Sequence, residues 1–214
     1  MNGEDISGGK RAVRPHEKGT SGLVHAWRRA ERVVSGREEV RPVERIAIFI
    51  DGPNLTYTMQ QLGWDVDFGK LLRYFSRGGR LLRAFYYASR REGEFDPMLS
   101  FLDYLDYNGY TVVTKPQKRY YNPATAQYEI KGNMDIELAI DMLLLADYID
   151  RAVLFSGDGD FRRLVEAVQM KGVRVVVVST IRTLSPMIAD ELRRQADEFV
   201  DLADEEVKRE IIRA

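Results

Sequence analysis

The feature that most constrains the fold is a regular alternation of short, almost continuously apolar segments with amphipathic ones. Strands that are apolar throughout, rather than at alternate positions, are typical of a parallel sheet covered on both faces. Because helical segments separate them, right-handed crossovers predict an α/β fold, a three-layer α/β/α sandwich with a mainly parallel, Rossmann-like sheet of five to six strands. The apolar segments are RIAIFI from Arg45, RLLRAFYYAS over 80–89, YTVVTK from Tyr110, RAVLFS from Arg151 and VRVVVVS from Val173.

Composition divides the chain into three parts. Residues 1–41 are rich in Gly, Ser, Arg and Glu, which predicts a largely disordered N-terminal tail. Within it, apolar residues at helical spacing predict a short amphipathic helix over 22–34, which packs on the domain, frays in solution, or contacts a partner subunit or RNA. Residues 44–202 are expected to form the folded domain, and residues 203–214 a charged C-terminal tail.

Several classes of protein are not expected because of what the chain lacks. No apolar run reaches the roughly 18 residues of a membrane span, and the N-terminus has no apolar signal-peptide core, so we expect a cytoplasmic protein without a membrane partner. There are no cysteines, which rules out disulfides, cysteine zinc sites and a thiol nucleophile. Both histidines, His16 and His25, lie in the tail. A Ser-His pair in the domain is therefore not expected, and any metal there needs oxygen ligands.

Carboxylates follow the predicted strands at the edge where open α/β sheets bind ligands. Asp51 and Asn54 follow the first strand in FIDGPN, and Asp158 and Asp160 follow the fourth in FSGDGDF. Asp135 lies in the first turn of the helix that leads into the fourth strand. If the first and fourth strands are neighbours, these carboxylates converge. Four converging carboxylates repel one another unless a cation neutralises them, and Mg²⁺ or Mn²⁺ suits such an oxygen-rich site.

Other residues near these aspartates are predicted to support the site. Asn54 and Ser156 are placed to orient an aspartate, a water or a phosphate. Gly157 and Gly159 leave room for a phosphate backbone to approach. Asp141 lies about 120° round the helix from Asp135, so it is expected to be structural or to support the site indirectly.

Each aspartate also has a simpler explanation. An aspartate directly after a strand is most often a helix N-cap, which alone accounts for Asp51 or Asp158. Asp135 could simply favour the positive end of its helix. Four aspartates at one predicted edge are harder to explain as separate caps, so the pattern as a whole favours a metal site.

The segment Lys115–Lys131 does not fit the alternation of strands and helices, because it is long, basic and rich in tyrosine. It predicts a hairpin that extends the third strand and turns near Asn122-Pro123. The alternative is a solvated hairpin whose tyrosines pack on the domain. The residues predicted to bind RNA phosphates or to stack on bases are Lys115, Lys118, Arg119, Lys131, Tyr120, Tyr121 and Tyr128.

Together FIDGPN, KGNMDIELAIDML and SGDGDF resemble the NYN domain, the LabA-like branch of the PIN-like nuclease superfamily, over about residues 44–202. The resemblance implies a PIN-like sheet and a metal-dependent ribonuclease site. KGNMD has one residue more before Asp135 than the usual KGVD of the family. The aspartates that match the metal-binding acids are Asp51, Asp135, Asp158 and Asp160, and the residues that match further polar positions are Asn54, Ser156 and Asp141.

The sequence therefore favours a ribonuclease that uses Mg²⁺ or Mn²⁺ to hydrolyse RNA phosphodiester bonds, with Lys131 stabilising the charge that develops on phosphorus. The alternative is a regulator that binds RNA or protein and holds a structural metal without catalysis. A haloacid-dehalogenase-like phosphohydrolase is disfavoured, because Pro53 stands where its second aspartate is required. RNA is the expected partner, and a homodimer is left open.

Overall fold

The structure is a computed structural model that describes residues 43–90, 98–123 and 127–213. Six parallel strands form one sheet in the order β3-β2-β1-β6-β7-β8, and two antiparallel strands form a separate hairpin, β4-β5. The predicted α/β fold with a mainly parallel sheet is confirmed. The strands are β1 (Glu44–Asp51), β2 (Gly79–Arg90), β3 (Thr111–Pro116), β4 (Lys118–Asn122), β5 (Gln127–Lys131), β6 (Arg151–Phe155), β7 (Arg174–Ser179) and β8 (Glu198–Asp201).

Helices cover both faces of the sheet. Residues of β1 alternate between two apolar clusters: Ile48 packs with α1, α2, α3 and α7 on one face, and Phe49 packs with α4, α5 and α6 on the other. This alternation explains why the strand is apolar at every position from Ile46 to Ile50. The helices are α1 (Gly52–Leu62), α2 (Phe68–Phe75), α3 (Leu99–Tyr107), α4 (Asp135–Leu145), α5 (Arg162–Gln169), α6 (Asp190–Gln195) and α7 (Glu205–Ile211).

The order in which the chain adds strands to the sheet reverses between β1 and β6, which are neighbours. The chain runs from β1 to β2 and β3 on one side, whereas β6 leads to β7 and β8 on the other. Ile50 pairs with Phe155, so Asp51 and Ser156, one residue further along each strand, lie side by side at the carboxyl edge. Ligands bind at such a switch point in open α/β sheets. The condition for the carboxylates to converge, that the first and fourth strands are neighbours, is thus met.

The Lys115–Lys131 segment forms the predicted hairpin, but the hairpin does not simply extend β3. Strand β3 ends at Pro116, and β4 and β5 pair only with each other, with Asn122 opposite Gln127. Strand β4 therefore ends at Asn122, where the turn was predicted.

The segment predicted as a charged C-terminal tail contains a packed helix. Asp204 caps α7, with its carboxylate accepting from the Glu206 amide, and Val207 and Ile211 are buried against the sheet. In the sequence, the only sign of this helix is the spacing of four between Val207 and Ile211, which stand among charged residues. The amphipathic helix predicted over 22–34 lies outside the described residues. Among the helices that the structure describes, none combines the length and apolarity needed to cross a bilayer.

Candidate metal and nucleic-acid site

Asp51 ends β1 and is the N-cap of α1. Its carboxylate accepts a hydrogen bond from the Asn54 amide at 3.3 Å and one from the Ser156 hydroxyl at 3.0 Å. Burial raises the pKa of Asp51 to about 6, although both hydrogen bonds oppose the shift, and the charges of Asp135 and Asp158 raise it further. The cost of burying this charge outweighs the hydrogen bonds made to it, and no cationic group in the described part of the chain offsets it.

The FSGDGDF turn is tied to α1 and to itself by hydrogen bonds. Ser156 is fully buried, and besides donating to Asp51 it accepts from the Asp158 amide at 3.2 Å. The Gly157 amide donates to Asn54 Oδ1 at 3.1 Å, which links the turn after β6 to the first turn of α1. Asp158 caps the following 3₁₀ turn by accepting from the Asp160 amide at 3.0 Å. Two strand ends are thereby held in one fixed arrangement.

Asp135 is the first residue of α4, and the turn before it positions its side chain. The side-chain amide of Asn133 donates to Asp135 Oδ2 at 2.6 Å, while Met134 is buried in the core. Burial raises the pKa of Asp135, the charges of Asp158 and Asp160 raise it further, and Lys115 opposes the shift. The additional residue of KGNMD is thus accommodated by burying one side chain and by hydrogen-bonding the other to the aspartate.

These elements surround a cleft of about 450 Å³ at the carboxyl edge of the sheet. Three of the four predicted aspartates line it, namely Asp51, Asp135 and Asp158, together with Asn54. The fourth, Asp160, is exposed beside the cleft, and its charge acts on Asp135. The cleft is therefore strongly acidic, with carboxylates from three separate elements.

The chemistry of the cleft fits a hard divalent cation, but the side chains do not form a closed ligand set. Within residues 43–90, 98–123 and 127–213, no three carboxylate or imidazole side chains are gathered into a group that could hold a metal ion. The donors present are all oxygen atoms, and neighbouring aspartates contribute to the raised pKa values of Asp51 and Asp135. Mg²⁺ and Mn²⁺ prefer such donors and commonly keep several waters, so a few widely set carboxylates suffice.

Comparison with known proteins identifies the domain. The sequence matches the NYN domain over residues 45–203, three quarters of the chain. The chain belongs to the NYN domain family. It is therefore a member of the PIN-like nuclease superfamily, whose NYN domains act on RNA.

Two similar proteins agree with this assignment. "Low amplitude and bright protein LabA" of Synechococcus elongatus is 39% identical over 163 residues, which cover 75% of this chain and 84% of LabA. A crystal structure of a protein of unknown function, VPA0982 from Vibrio parahaemolyticus, superposes with a TM-score of 0.67 at 25% identity, covering 82% of this chain and 99% of that one. The second confirms the fold.

Asp141, a predicted supporting residue of this NYN domain, lies beneath the sheet edge and not among the residues that line the cleft. It accepts a hydrogen bond at 3.0 Å from the hydroxyl of Tyr87, a tyrosine that is completely buried. Burial, together with the charge of Asp141, raises the pKa of Tyr87. The contact satisfies a buried hydroxyl and joins α4 to β2.

We expect Asp141→Ala to reduce stability and leave cleft chemistry almost unchanged. Removing the acceptor leaves the buried Tyr87 hydroxyl without its partner, which costs about 1 to 3 kcal/mol. Urea unfolding measures the loss, and Asp141→Asn, which keeps an acceptor, should recover most of it. If Asp141→Ala instead abolished activity at full stability, Asp141 would belong to the site itself.

Both glycines of FSGDGDF lie where a side chain would meet neighbouring atoms of the protein. A Cβ built on Gly157 would lie 1.6 Å from the Met187 carbonyl oxygen, and one on Gly159 would lie 2.6 Å from Glu191 Oε1. The carbonyl of Gly157 also accepts from the Ala189 amide at 2.9 Å. Packing therefore accounts for Gly157, and the predicted role of the two glycines in the approach of a phosphate stays a prediction.

Of the residues predicted to bind RNA, Lys115 is already paired. Its ammonium group lies 3.0 Å from the carboxylate of Glu137, the third residue of α4. Tyr121 is about half exposed on the hairpin. For the other members of the set the structure describes the strand backbone but not the side chains, so these stay predictions: Lys118, Arg119, Tyr120, Tyr128 and Lys131.

Sequence reasoning missed three neutral polar residues that line the cleft. They are Ser89, the last residue but one of β2, Gln117, which follows β3, and Asn133. The side-chain amide of Gln117 donates to Ser89 Oγ at 3.0 Å. A Cβ on Gly132 would lie 2.9 Å from the Ser89 Cβ, so the turn that carries Asn133 rests directly on this pair. The rule that pointed to Asp51, that strand ends meet at one edge, also applied to the ends of β2 and β3.

Proposed function

We propose that this protein is a metal-dependent ribonuclease that hydrolyses RNA phosphodiester bonds in the cleft between β1 and β6. The observation that carries the proposal is the convergence of Asp51, Asp135 and Asp158 from three elements on one open cleft, with Asp51 partly buried and no cationic group among the described residues opposing the rise of its pKa. A fold does not need such an arrangement for stability, since the buried charge is unfavourable. Membership of the NYN family supplies RNA as the substrate class.

The residues of the cleft divide into those that would hold Mg²⁺ or Mn²⁺ and those that orient them. Asp51, Asp135 and Asp158 would hold the ion with water, and Asp160 would add negative charge or a further ligand. When bound, the ion polarises the phosphodiester and provides an activated water. The Ser156 hydroxyl fixes one oxygen of Asp51.

Two further groups fix and complete this arrangement. The side-chain amide of Asn133 fixes one oxygen of Asp135, so the carboxylates of Asp51 and Asp135 are both oriented before substrate arrives. Lys131, which ends β5 directly before the Gly132 turn, would stabilise charge on the scissile phosphate.

The hairpin is the proposed RNA-binding element. It leads directly from the cleft residue Gln117 back to the cleft residue Gly132, so its two strands begin and end at the site. Lys118 and Arg119 would contact the phosphates, and Tyr120 and Tyr121 would stack on bases, which is how single-stranded RNA is commonly held.

The test is cleavage of end-labelled RNAs with Mg²⁺, with Mn²⁺ and with EDTA. We expect cleavage only with metal, and we expect Asp158→Asn to lower it by at least about a hundredfold, because a charge-stabilising group is lost. Asp103→Asn is the matched control, since Asp103 is an exposed aspartate on α3 outside the cleft.

Each outcome has a distinct meaning. Equal traces of cleavage with the wild type, Asp158→Asn and EDTA would refute the enzyme. If RNA binding persisted in that case, as measured by fluorescence anisotropy, the alternative would hold: a regulator that binds RNA and uses the aspartates for a structural cation.

A further inference from the structure

Helix α4 is apolar on two opposite faces, and only one of them is buried. Leu138 and Met142 pack into the core beneath the sheet. The opposite face carries four large apolar side chains in successive turns, which we call the apolar stripe. It consists of Ile136, Ile140, Leu143 and Leu144, which are 67%, 51%, 36% and 66% exposed.

Such a stripe is unusual on a surface helix. Helices of soluble proteins normally bury one apolar face and present a polar one to water, whereas a helix that is apolar all round is normally buried on all sides. Four side chains exposed to this degree form a patch on the order of 300 Å², a size that marks interaction sites on protein surfaces. The stripe therefore indicates a second packing partner for α4.

The charges at both ends of the stripe are paired within the chain. At the N-terminal end Glu137 binds Lys115 at 3.0 Å, and at the C-terminal end Asp147 binds Lys171 at 2.7 Å. The ammonium groups of Lys115 and Lys171 beside the stripe are therefore not free to attract RNA or an acidic protein. The stripe instead matches a surface that is equally apolar, and a second copy of the same stripe is such a surface.

We propose that the apolar stripe is the interface of a two-fold symmetric homodimer in which α4 packs antiparallel against α4 of a second copy. A self-complementary patch with its centre near Ile140 satisfies two-fold symmetry, since each half meets the other half of its copy. The antiparallel arrangement also opposes the two helix dipoles. Two patches of this size give an interface at the small end of the range for specific complexes, so we expect a weak, reversible dimer and not a permanent one.

The dimer leaves the cleft accessible and is independent of the proposed reaction. Asp135 precedes Ile136 by one residue, so the two side chains lie about 100° apart round the helix. Asp135 turns into the cleft while the stripe faces away from the core. Failure of the ribonuclease proposal would therefore not affect this one.

Sedimentation equilibrium of the full chain, from micromolar to sub-millimolar concentration, tests the proposal. We expect a monomer–dimer equilibrium in the wild type. Ile140→Glu should raise the dissociation constant roughly hundredfold, because it places two like charges together at the centre of the interface. Tyr57→Glu on α1 is the control, since Tyr57 is 54% exposed and Ile140 is 51% exposed. A wild type that stays monomeric throughout would overturn the proposal.

A cross-linking experiment locates the interface. The chain has no cysteine, so Ile140→Cys introduces the only thiol. We expect mild oxidation to join two copies through this position, and we expect Tyr57→Cys to remain uncross-linked. A dimer in sedimentation without cross-linking at position 140, or one unaffected by Ile140→Glu, would place the interface elsewhere and overturn the proposal.

Discussion

Asp51→Asn is expected to make the metal-free protein more stable at neutral pH and, at the same time, to abolish metal-dependent cleavage of RNA. Burial opposes ionisation of Asp51, whose pKa lies at about 6, so the charge is unfavourable in the folded protein at pH 7. An asparagine removes this charge and keeps the cap of α1, because asparagine caps helices as well as aspartate does. It also keeps the Ser156 contact, since a hydroxyl accepts as readily as it donates.

The gain in stability should depend on pH in a defined window. Well below pH 3.8, the ordinary pKa of the side chain, Asp51 is protonated in the folded and unfolded chains alike and its charge has no effect. Between pH 3.8 and about 6 the unfolded chain ionises first, so the folded wild type loses stability as pH rises. Above pH 6 the full difference applies, about 2 to 3 kcal/mol in favour of Asp51→Asn.

Urea unfolding in EDTA across this pH range measures the effect. Asp67→Asn is the matched control, because Asp67 caps α2 through a hydrogen bond from the Lys70 amide at 2.8 Å and lies outside the cleft. Adding Mn²⁺ or Mg²⁺ should stabilise the wild type and leave Asp51→Asn unaffected, since a ligand stabilises only the state that binds it. A variant that is no more stable than the wild type at pH 8 would contradict the origin assigned to the raised pKa.

The fold was predictable from the sequence because its strands are buried on both faces. β1 is apolar at every position from Ile46 to Ile50, since these residues alternate between two cores. The C-terminal helix α7 was missed because only Val207 and Ile211 of its seven residues are buried, which leaves a composition typical of a tail. Packing against α2 and not intrinsic propensity determines this helix.

The positions of the aspartates were also predictable, but their orientation was not. Asp51 and Asp158 are helix N-caps and line the cleft, so the structural explanation and the functional one hold together. The backbone hydrogen bonds of the cap hold each carboxylate in a fixed orientation, as a residue that binds a metal ion requires. The contact between Gly157 and Met187 joins segments thirty residues apart, and no local pattern reveals such a contact.

Because of that contact, we expect Gly157→Ala to destabilise the protein more than any other addition of a single methyl group within FSGDGDF. The new Cβ would lie 1.6 Å from the Met187 carbonyl oxygen and 2.6 Å from its carbonyl carbon, and neither atom belongs to a flexible side chain. The backbone must therefore move, at a cost of about 3 kcal/mol or more, which lowers the melting temperature by roughly 6 to 12 °C. Asp158, the next residue, should move with it, so cleavage should fall as well.

Gly159→Ala provides the control within the same motif. Its Cβ would lie 2.6 Å from Glu191 Oε1, the far end of an exposed and flexible side chain, and 3.1 Å from the Ala189 Cβ. The glutamate can turn away, so the loss should be below about 1 kcal/mol. Thermal unfolding of the two variants separates the explanations. A large loss of stability in Gly157→Ala alone would show that Gly157 is needed for packing against Met187. Equal, small losses of stability in both variants, together with a selective defect in RNA binding, would instead support a role of the glycines in the approach of a phosphate.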